Sequence, residues 1–247
     1  MNKNDVNYDL YNGLYTGDVL YYNKKYNAHE RYQYLLQKKI LKFINPKNIK
    51  SIADIGCGAG VKTFITATHF TNVTVLGTDF AEQGIKKANE HFKEQKNLNY
   101  SVKNVLDKEN LEKYDLITAF EIAEHIEDWK GFISDICNAT NKYIVLSFPT
   151  GRMRKYEDKI GHCRNFKKGE VELFLKEQGF KPIKIYNAGF PFWSPLSRDL
   201  LNLVYDDRDH TSSMKINKYF HNILYILYKY FTSKNIGDQF IGVFERE

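Results

Sequence analysis

Residues 121–125 read Glu-Ile-Ala-Glu-His, which places two carboxylates and an imidazole within five positions. On a helix, Glu121, Glu124 and His125 fall at i, i+3 and i+4 and share one face. Such a trio suits Mg²⁺ or Mn²⁺, or an acid/base pair that removes a proton from a substrate. A second stretch, Asp54-Ile55-Gly56-Cys57-Gly58-Ala59-Gly60, ends an apolar run in three glycines separated by single residues. Glycine lets a backbone take positive φ or approach a ligand closely, and a following helix aims unpaired N–H groups at that space. The spacing is not that of a dinucleotide turn, and the Lys-Ser/Thr ending of a phosphate loop is missing. A different small molecule is expected there.

These residues need a scaffold that brings them to one edge. Short β-branched or apolar runs at 51–55, 73–79, 99–102, 114–120, 143–149, 181–188 and 239–245 alternate, up to the sixth, with helical patterns at 61–70, 81–92 and 169–178. That alternation predicts a parallel sheet wound on both faces, with ligands at the carboxyl ends of the strands. The second run ends in Asp79, about 20 residues past the glycines, where a carboxylate can accept two hydrogen bonds from a ribose diol. Asp79 also suits the N-cap of the helix that follows. Before the first strand, apolar residues recur at helical spacing over 28–44, and Pro46 stops that helix.

Asp54-x-Gly56-x-Gly58-x-Gly60 resembles motif I of the class I S-adenosylmethionine-dependent methyltransferases. The resemblance covers residues 51–189 and implies an α/β, Rossmann-like fold: a seven-stranded sheet with helices on both faces and the last strand antiparallel. It divides a single domain into an N-terminal lid and cap helix (1–48), a cofactor core (49–189), an insertion roofing the acceptor (190–237) and a closing strand (238–247). It implies that Asp54, Gly56, Cys57, Gly58, Gly60, Asp79 and Glu121 bind the cofactor, with Phe80 stacking near the adenine and Asn104 or Val105 reading it. Tyr15, in a tyrosine-rich N-terminal segment, would close over the acceptor.

Glu-x-x-Glu-His resembles the metal motif of small-RNA 2′-O-methyltransferases and ubiquinone-pathway O-methyltransferases, where a later histidine completes the site; here that is His162. The same letters resemble those of metal-free relatives. The resemblance therefore implies either a divalent ion on Glu121, Glu124, His125 and His162, or a general base at His125 or His162.

The formal charge is +6, and residues 152–168 hold seven Lys and Arg against two acids. Strand five delivers this run to the ligand edge, so Arg152, Arg154 and Arg164 are expected to face an anionic acceptor. Nearly half the chain is apolar (43%), and no Pro-rich, Gly/Ser-rich or repeated segment interrupts it. Three cysteines without metal-knuckle spacing argue against a disulfide framework or zinc finger. No apolar run reaches the ~20 residues of a membrane span, and a cytoplasmic protein is expected. The expected activity is O-methylation of a small polar acceptor, such as a surface-polysaccharide or phosphoryl-metabolite precursor. The alternatives are an RNA 2′-O-methyltransferase, against which stands the lack of a separate RNA-binding module, and a non-catalytic S-adenosylmethionine-binding regulator. The apolar face at 219–231 is read first as packing on the sheet, ahead of a homodimer seam or a membrane-surface helix.

Overall fold

The structure is a computed structural model that describes residues 15, 17, 19–104, 112–204 and 215–247. Seven strands form one sheet: β1 (Ser51–Ile55), β2 (Thr74–Asp79), β3 (Leu98–Val102), β4 (Tyr114–Phe120), β5 (Thr140–Pro149), β6 (Phe180–Ala188) and β7 (Gln239–Arg246). Their order is β3-β2-β1-β4-β5-β7-β6, with β7 antiparallel to both its neighbours. Strand order reverses between β1 and β4, so the crevice a parallel sheet offers to ligands opens where the glycine turn and Glu121 leave the sheet.

Both faces of the sheet are covered, which is why the strands read as near-continuous apolar runs rather than alternating ones. On one face α1 (Leu20–Tyr26), α2 (Ala28–Ile40), α3 (Val61–His69) and α4 (Glu82–His91) lie against it, and Tyr32, Leu36 and Ile40 of α2 pack with Val75, Val145 and Ile241. On the other, α5 (Trp129–Ala139) and α7 (Glu170–Glu177) lie against it, and Trp129, Ile133 and Ile136 pack with Phe148, Phe166 and Phe240, while α6 (Lys155–Lys159) lies at the ligand edge beyond β5. Asn27 starts α2 by accepting from the amides of His29 (2.9 Å) and Glu30 (3.3 Å), which fixes the face that α2 turns toward the crevice.

The stretch before β7 holds a π-turn (Phe192–Ser197), α8 (Arg198–Val204) and α9 (Lys218–Phe231). One side of α9 packs on α2, through Arg31 to Asn222 (2.6 Å) and the Arg31 guanidinium over the Tyr225 ring (3.9 Å). The expected packing of α9 therefore holds for that side only, because the other side faces solvent. The helix read over 28–44 ends at Ile40 and tightens into a 3₁₀ turn, Leu41–Phe43, before Pro46. The segment from Glu121 does not take the helical conformation that would put Glu121, Glu124 and His125 on one face. Glu121 has φ +57°, a left-handed conformation that an α-helix cannot include, and only a 3₁₀ turn, Ala123–His125, precedes α5.

Candidate functional site

The glycine turn is held by its neighbours rather than by its own side chains. Gly56 and Cys57 both donate amide hydrogen bonds to the Thr78 carbonyl (2.8 and 2.9 Å), and Gly58 donates to the Asp79 carboxylate (2.8 Å). A Cβ added at Gly58, where φ is +52°, would lie 2.5 Å from the Tyr15 hydroxyl. That is a cradle a side chain would fill.

Beyond the turn lies a cavity of about 510 Å³, bounded by the carboxyl ends of β1, β4 and β5, the first residue of β7, and α1 and α2. Trp193, Arg198, Leu201 and His221, from the stretch before β7, line its opposite wall, called the roof below. Of the residues singled out from the sequence, Gly56, Cys57, Gly58, Gly60, Glu121 and Tyr15 line it, and so do Glu124, His125 and His162.

Several expected site residues stand elsewhere. Asp54 is buried under the turn and accepts from Thr63 and Thr118 (2.6 Å each), with burial pushing its carboxyl up to about 6. It braces β1 against β4 and α3 and does not line the cavity. Asp79 is also outside the lining; its oxygens take the Gly58 and Ala81 amides (2.8 Å each), so it ties the glycine turn to the start of α4. Phe80 is half-buried and Asn104 exposed, and neither lines the cavity; Val105 lies outside the described residues.

The arginines expected at the acceptor are committed to other partners. Arg152 and Arg154 both bind Asp199 (2.7 Å each), Arg154 also approaches Asp238 (3.7 Å), and Arg164 donates to the Glu127 carbonyl (2.9 Å). None of the three lines the cavity; Asp199 and Asp238, distant in sequence, fold back onto Arg152 and Arg154. Arg198, which carries no motif, is the buried guanidinium at the cavity. It is paired with Glu157 through Nη2 and through Nε (3.0 Å). Burial alone would raise the Glu157 carboxyl, but the pairing with Arg198 holds it below its ordinary value.

Glu121 is the one non-glycine residue with positive φ among those described. Such a backbone costs ~1–3 kcal/mol and persists only where its surroundings fix it. Here they do: one carboxylate oxygen accepts from Ser147 and Gln239 (2.8 Å for Gln239), and the other from Gln33 (3.0 Å). The twist separates Glu121 from the two residues it was expected to join.

Glu124, His125 and His162 do come together, each offering one ligand atom within 4.8 Å of the others. Glu121 is not in this cluster. The loop carrying His162 is clamped to the 3₁₀ turn by Cys163 N–H to the Glu124 carbonyl (2.7 Å) and by His125 Nδ1 to the Gly161 carbonyl (3.1 Å). A carbonyl only accepts, so His125 carries its proton on Nδ1 and presents Nε2 as the lone-pair nitrogen. Burial, and then His162, lower His125 to about 3; burial also lowers His162. Glu124 is pushed well up, first by burial and then by Glu121, and its Oε2 is buried with no hydrogen-bond partner. An orphaned carboxylate oxygen beside two neutral imidazoles is a donor set that fits a divalent cation. Two nitrogen ligands suit Mn²⁺ or Zn²⁺ better than the all-oxygen preference of Mg²⁺.

Residues 53–142 match the family model of a methyltransferase domain. That match, together with the fold, supports the class I S-adenosylmethionine-dependent methyltransferase superfamily. It is 33% identical to the ubiquinone biosynthesis O-methyltransferase of Coxiella burnetii over 81 residues, which are 32% of this chain and 34% of that one. It is 24% identical to the malonyl-[acyl-carrier protein] O-methyltransferase of Acetivibrio thermocellus over 129 residues, 51% of this chain and 45% of that one. The matched regions thus span a third to a half of these relatives. Among solved structures, magnesium protoporphyrin IX methyltransferase from Synechocystis with bound S-adenosylmethionine aligns over 100% of this chain and 98% of that one (TM-score 0.62, 14% identity). An N-methyltransferase from Bradyrhizobium japonicum with S-adenosylhomocysteine aligns over 97% and 98% (TM-score 0.63, 15% identity). At these identities the structural likeness is one of fold. Those two structures hold S-adenosylmethionine and S-adenosylhomocysteine, and in this chain the glycine cradle opens on the cavity described above.

The roof of the cavity contains a pH-sensitive contact. His29 is half-buried among Ser197 (2.8 Å), Tyr228 and Trp193, and burial, then His221 and Arg198, lower it to about 4. Its folded value lies below the ordinary 6.5, so the stability it contributes is complete above pH 6.5 and is lost as pH falls toward 4. Asp54 has the opposite sign, contributing below 3.8 and losing that contribution as pH rises through about 6. The diagnostic is therefore a difference. Thermal melts of the native protein should lose more stability between pH 6.5 and 4 than those of His29→Gln, and parallel profiles would contradict this assignment.

Proposed function

We propose that this chain is an S-adenosylmethionine-dependent O-methyltransferase that acts on a small polar acceptor, with Glu124, His125 and His162 holding a divalent cation at the acceptor hydroxyl. The observation that carries the reading is the cluster of three ligand atoms within 4.8 Å on the wall of the cavity that the glycine turn also lines. S-adenosylmethionine would supply an electrophilic methyl group, and a cation on the three ligands would lower the pKa of a hydroxyl bound to it.

The protein's own residues then have defined tasks. Gly56, Gly58 and Gly60 let the backbone of the turn come close to the cofactor, and the Glu121 carboxylate lies beside them for its cationic end. Asp79, at the end of β2 and bonded to the glycine turn, is assigned to the ribose diol. Tyr15 and the roof exclude water and restrict the acceptor's approach. His125 serves as a ligand in this scheme rather than as the base, since a nitrogen at about 3 is too weak to take a hydroxyl proton efficiently near neutral pH. The expectation of an anionic acceptor loses its basis with Arg152, Arg154 and Arg164 in other pairs, and so does the argument for RNA.

Glu121→Gln keeps the shape of the side chain and removes its charge. Its affinity for S-adenosylhomocysteine should fall by ~1.5–3 kcal/mol in calorimetric titration, as for other hydrogen bonds to charged groups. An unchanged affinity in a folded variant would remove Glu121 from the cofactor site. The function itself is tested by release of S-adenosylhomocysteine from S-adenosylmethionine across a panel of hydroxylated metabolites, with Mn²⁺ present. Tight cofactor binding with no transfer to any acceptor would instead favour a non-catalytic regulator.

A further inference from the structure

The side of α9 that faces away from α2 is uncovered. Tyr219, Ile223, Ile226 and Tyr230 recur at four, three and four residues and form one stripe, exposed by 72%, 61%, 51% and 65% respectively. Phe220 and Phe231 flank it and are also exposed. Beyond the helix, Phe190 and Ile236 are also exposed, and Phe190 N–H bonds the Ile236 carbonyl (2.9 Å). Single exposed apolar residues are ordinary, whereas an aligned stripe of this size marks a surface that meets something.

The charges around the stripe indicate what it meets. Residues 215–237 include Lys215, Lys218, Lys229 and Lys234 and no Asp or Glu, in a chain whose net charge is already +6. Lys218 and Lys229 lie over the rings of Tyr219 and Tyr230 (5.1 and 4.7 Å), at the two ends of the stripe. A second copy docked on the same face would bring these ammonium groups against their counterparts, which opposes pairing. An anionic surface would instead neutralise them. A helix with a basic rim and a Tyr, Phe and Ile face suits the boundary between lipid headgroups and acyl chains, where aromatic rings are favoured. With 14 residues, α9 lies in such a boundary rather than crossing it, and no helix among the described residues is long and apolar enough to cross a membrane.

We infer that α9 docks this protein onto the surface of a bilayer containing anionic phospholipid, with the Tyr219–Ile223–Ile226–Tyr230 stripe entering the interface and the lysines meeting the headgroups. The same helix contributes His221 to the cavity wall, so the roof of the pocket lies directly behind the docked face.

The test is co-sedimentation of the full chain with sucrose-loaded vesicles made of equal parts phosphatidylglycerol and phosphatidylcholine, or of phosphatidylcholine alone. Binding is expected to the mixed vesicles, to weaken with added salt, and to be much weaker on phosphatidylcholine. Replacing Ile223→Asp together with Ile226→Asp should lower partitioning by about tenfold or more. Lys218→Glu with Lys229→Glu should weaken binding to the anionic vesicles selectively. These positions are solvent-facing or rim residues, and an unchanged melt and S-adenosylhomocysteine affinity will show that each variant is folded. Failure of the native chain to sediment with mixed vesicles would overturn the inference, as would undiminished binding of the double Ile variant. A dimer dissolved by that variant, without vesicle binding, would assign the face to a second copy.

Discussion

Glu124→Gln should abolish methyl transfer while leaving cofactor affinity intact and the metal-free protein at least as stable as before. The native carboxylate is buried, one of its oxygens has no hydrogen-bond partner, and burial together with Glu121 pushes it well up. A charge held in such a place costs stability unless something pairs with it. The neutral amide of similar shape relieves that cost but is a poor cation ligand, so activity should fall by ~10²-fold or more. The pH dependence carries the same sign. With its folded value above the ordinary 4.5, Glu124 contributes stability at low pH that is lost as pH rises through the raised value, and the Gln variant should lack that loss. A Glu124→Gln protein with native turnover would remove Glu124 from the site. One that is destabilised and inactive would point to an ordinary structural role.

The second large effect concerns the hinge between roof and sheet. Gly237 has φ +149°, and a Cβ there would lie 2.0 Å from the Ala188 carbonyl oxygen and 2.6 Å from the Gly189 nitrogen. These are backbone atoms at the end of β6, so no side-chain rotation relieves the clash. Gly237→Ala should therefore cost ~3 kcal/mol or more and lower Tm by ~6–12 °C for a chain of this size. Its neighbour Asp238 accepts from the Ser194 hydroxyl (2.6 Å) and, through its carbonyl, from the Thr150 amide (2.7 Å), so the roof should loosen with it. Gly169 is the control, because its φ is +86° but a Cβ there meets nothing within 4 Å. Gly169→Ala should cost only the ~1–2 kcal/mol of a left-handed residue. Equal melts for the two variants would show that the Gly237 contact yields.

The parts of this fold that the sequence discloses are those with local causes. The strands of the first half are apolar runs closed by a turn residue, and the glycine turn and Asp79 fall where β1 and β2 end. Glu124 and His125 were legible because they are adjacent, and His162 only because of a family resemblance. The basic run misled for a physical reason. Seven cations in 17 residues look like an open positive surface, but Arg152 and Arg154 pair with Asp199 and Asp238, roughly 45 to 85 positions away, and only tertiary folding brings these acids in. Arg198 escaped notice for the converse reason, as one arginine in a stretch without motif whose partner Glu157 sits inside that same run. Glu121 looked like the start of a helix because propensity and spacing permit one; three hydrogen bonds to its carboxylate hold it in the left-handed region instead.

The central claim is that Glu124, His125 and His162 bind a divalent cation in the cavity shared with the glycine turn. It is tested most directly by titrating this chain, after chelator treatment, with Mn²⁺ and following free Mn²⁺ by electron paramagnetic resonance, in parallel with His162→Ala. The account predicts one tight Mn²⁺ per chain in the native protein, displaced by Zn²⁺ and lost in the variant, with S-adenosylhomocysteine affinity unchanged in both. No tight site in the native protein, or an equal site in His162→Ala, would contradict it.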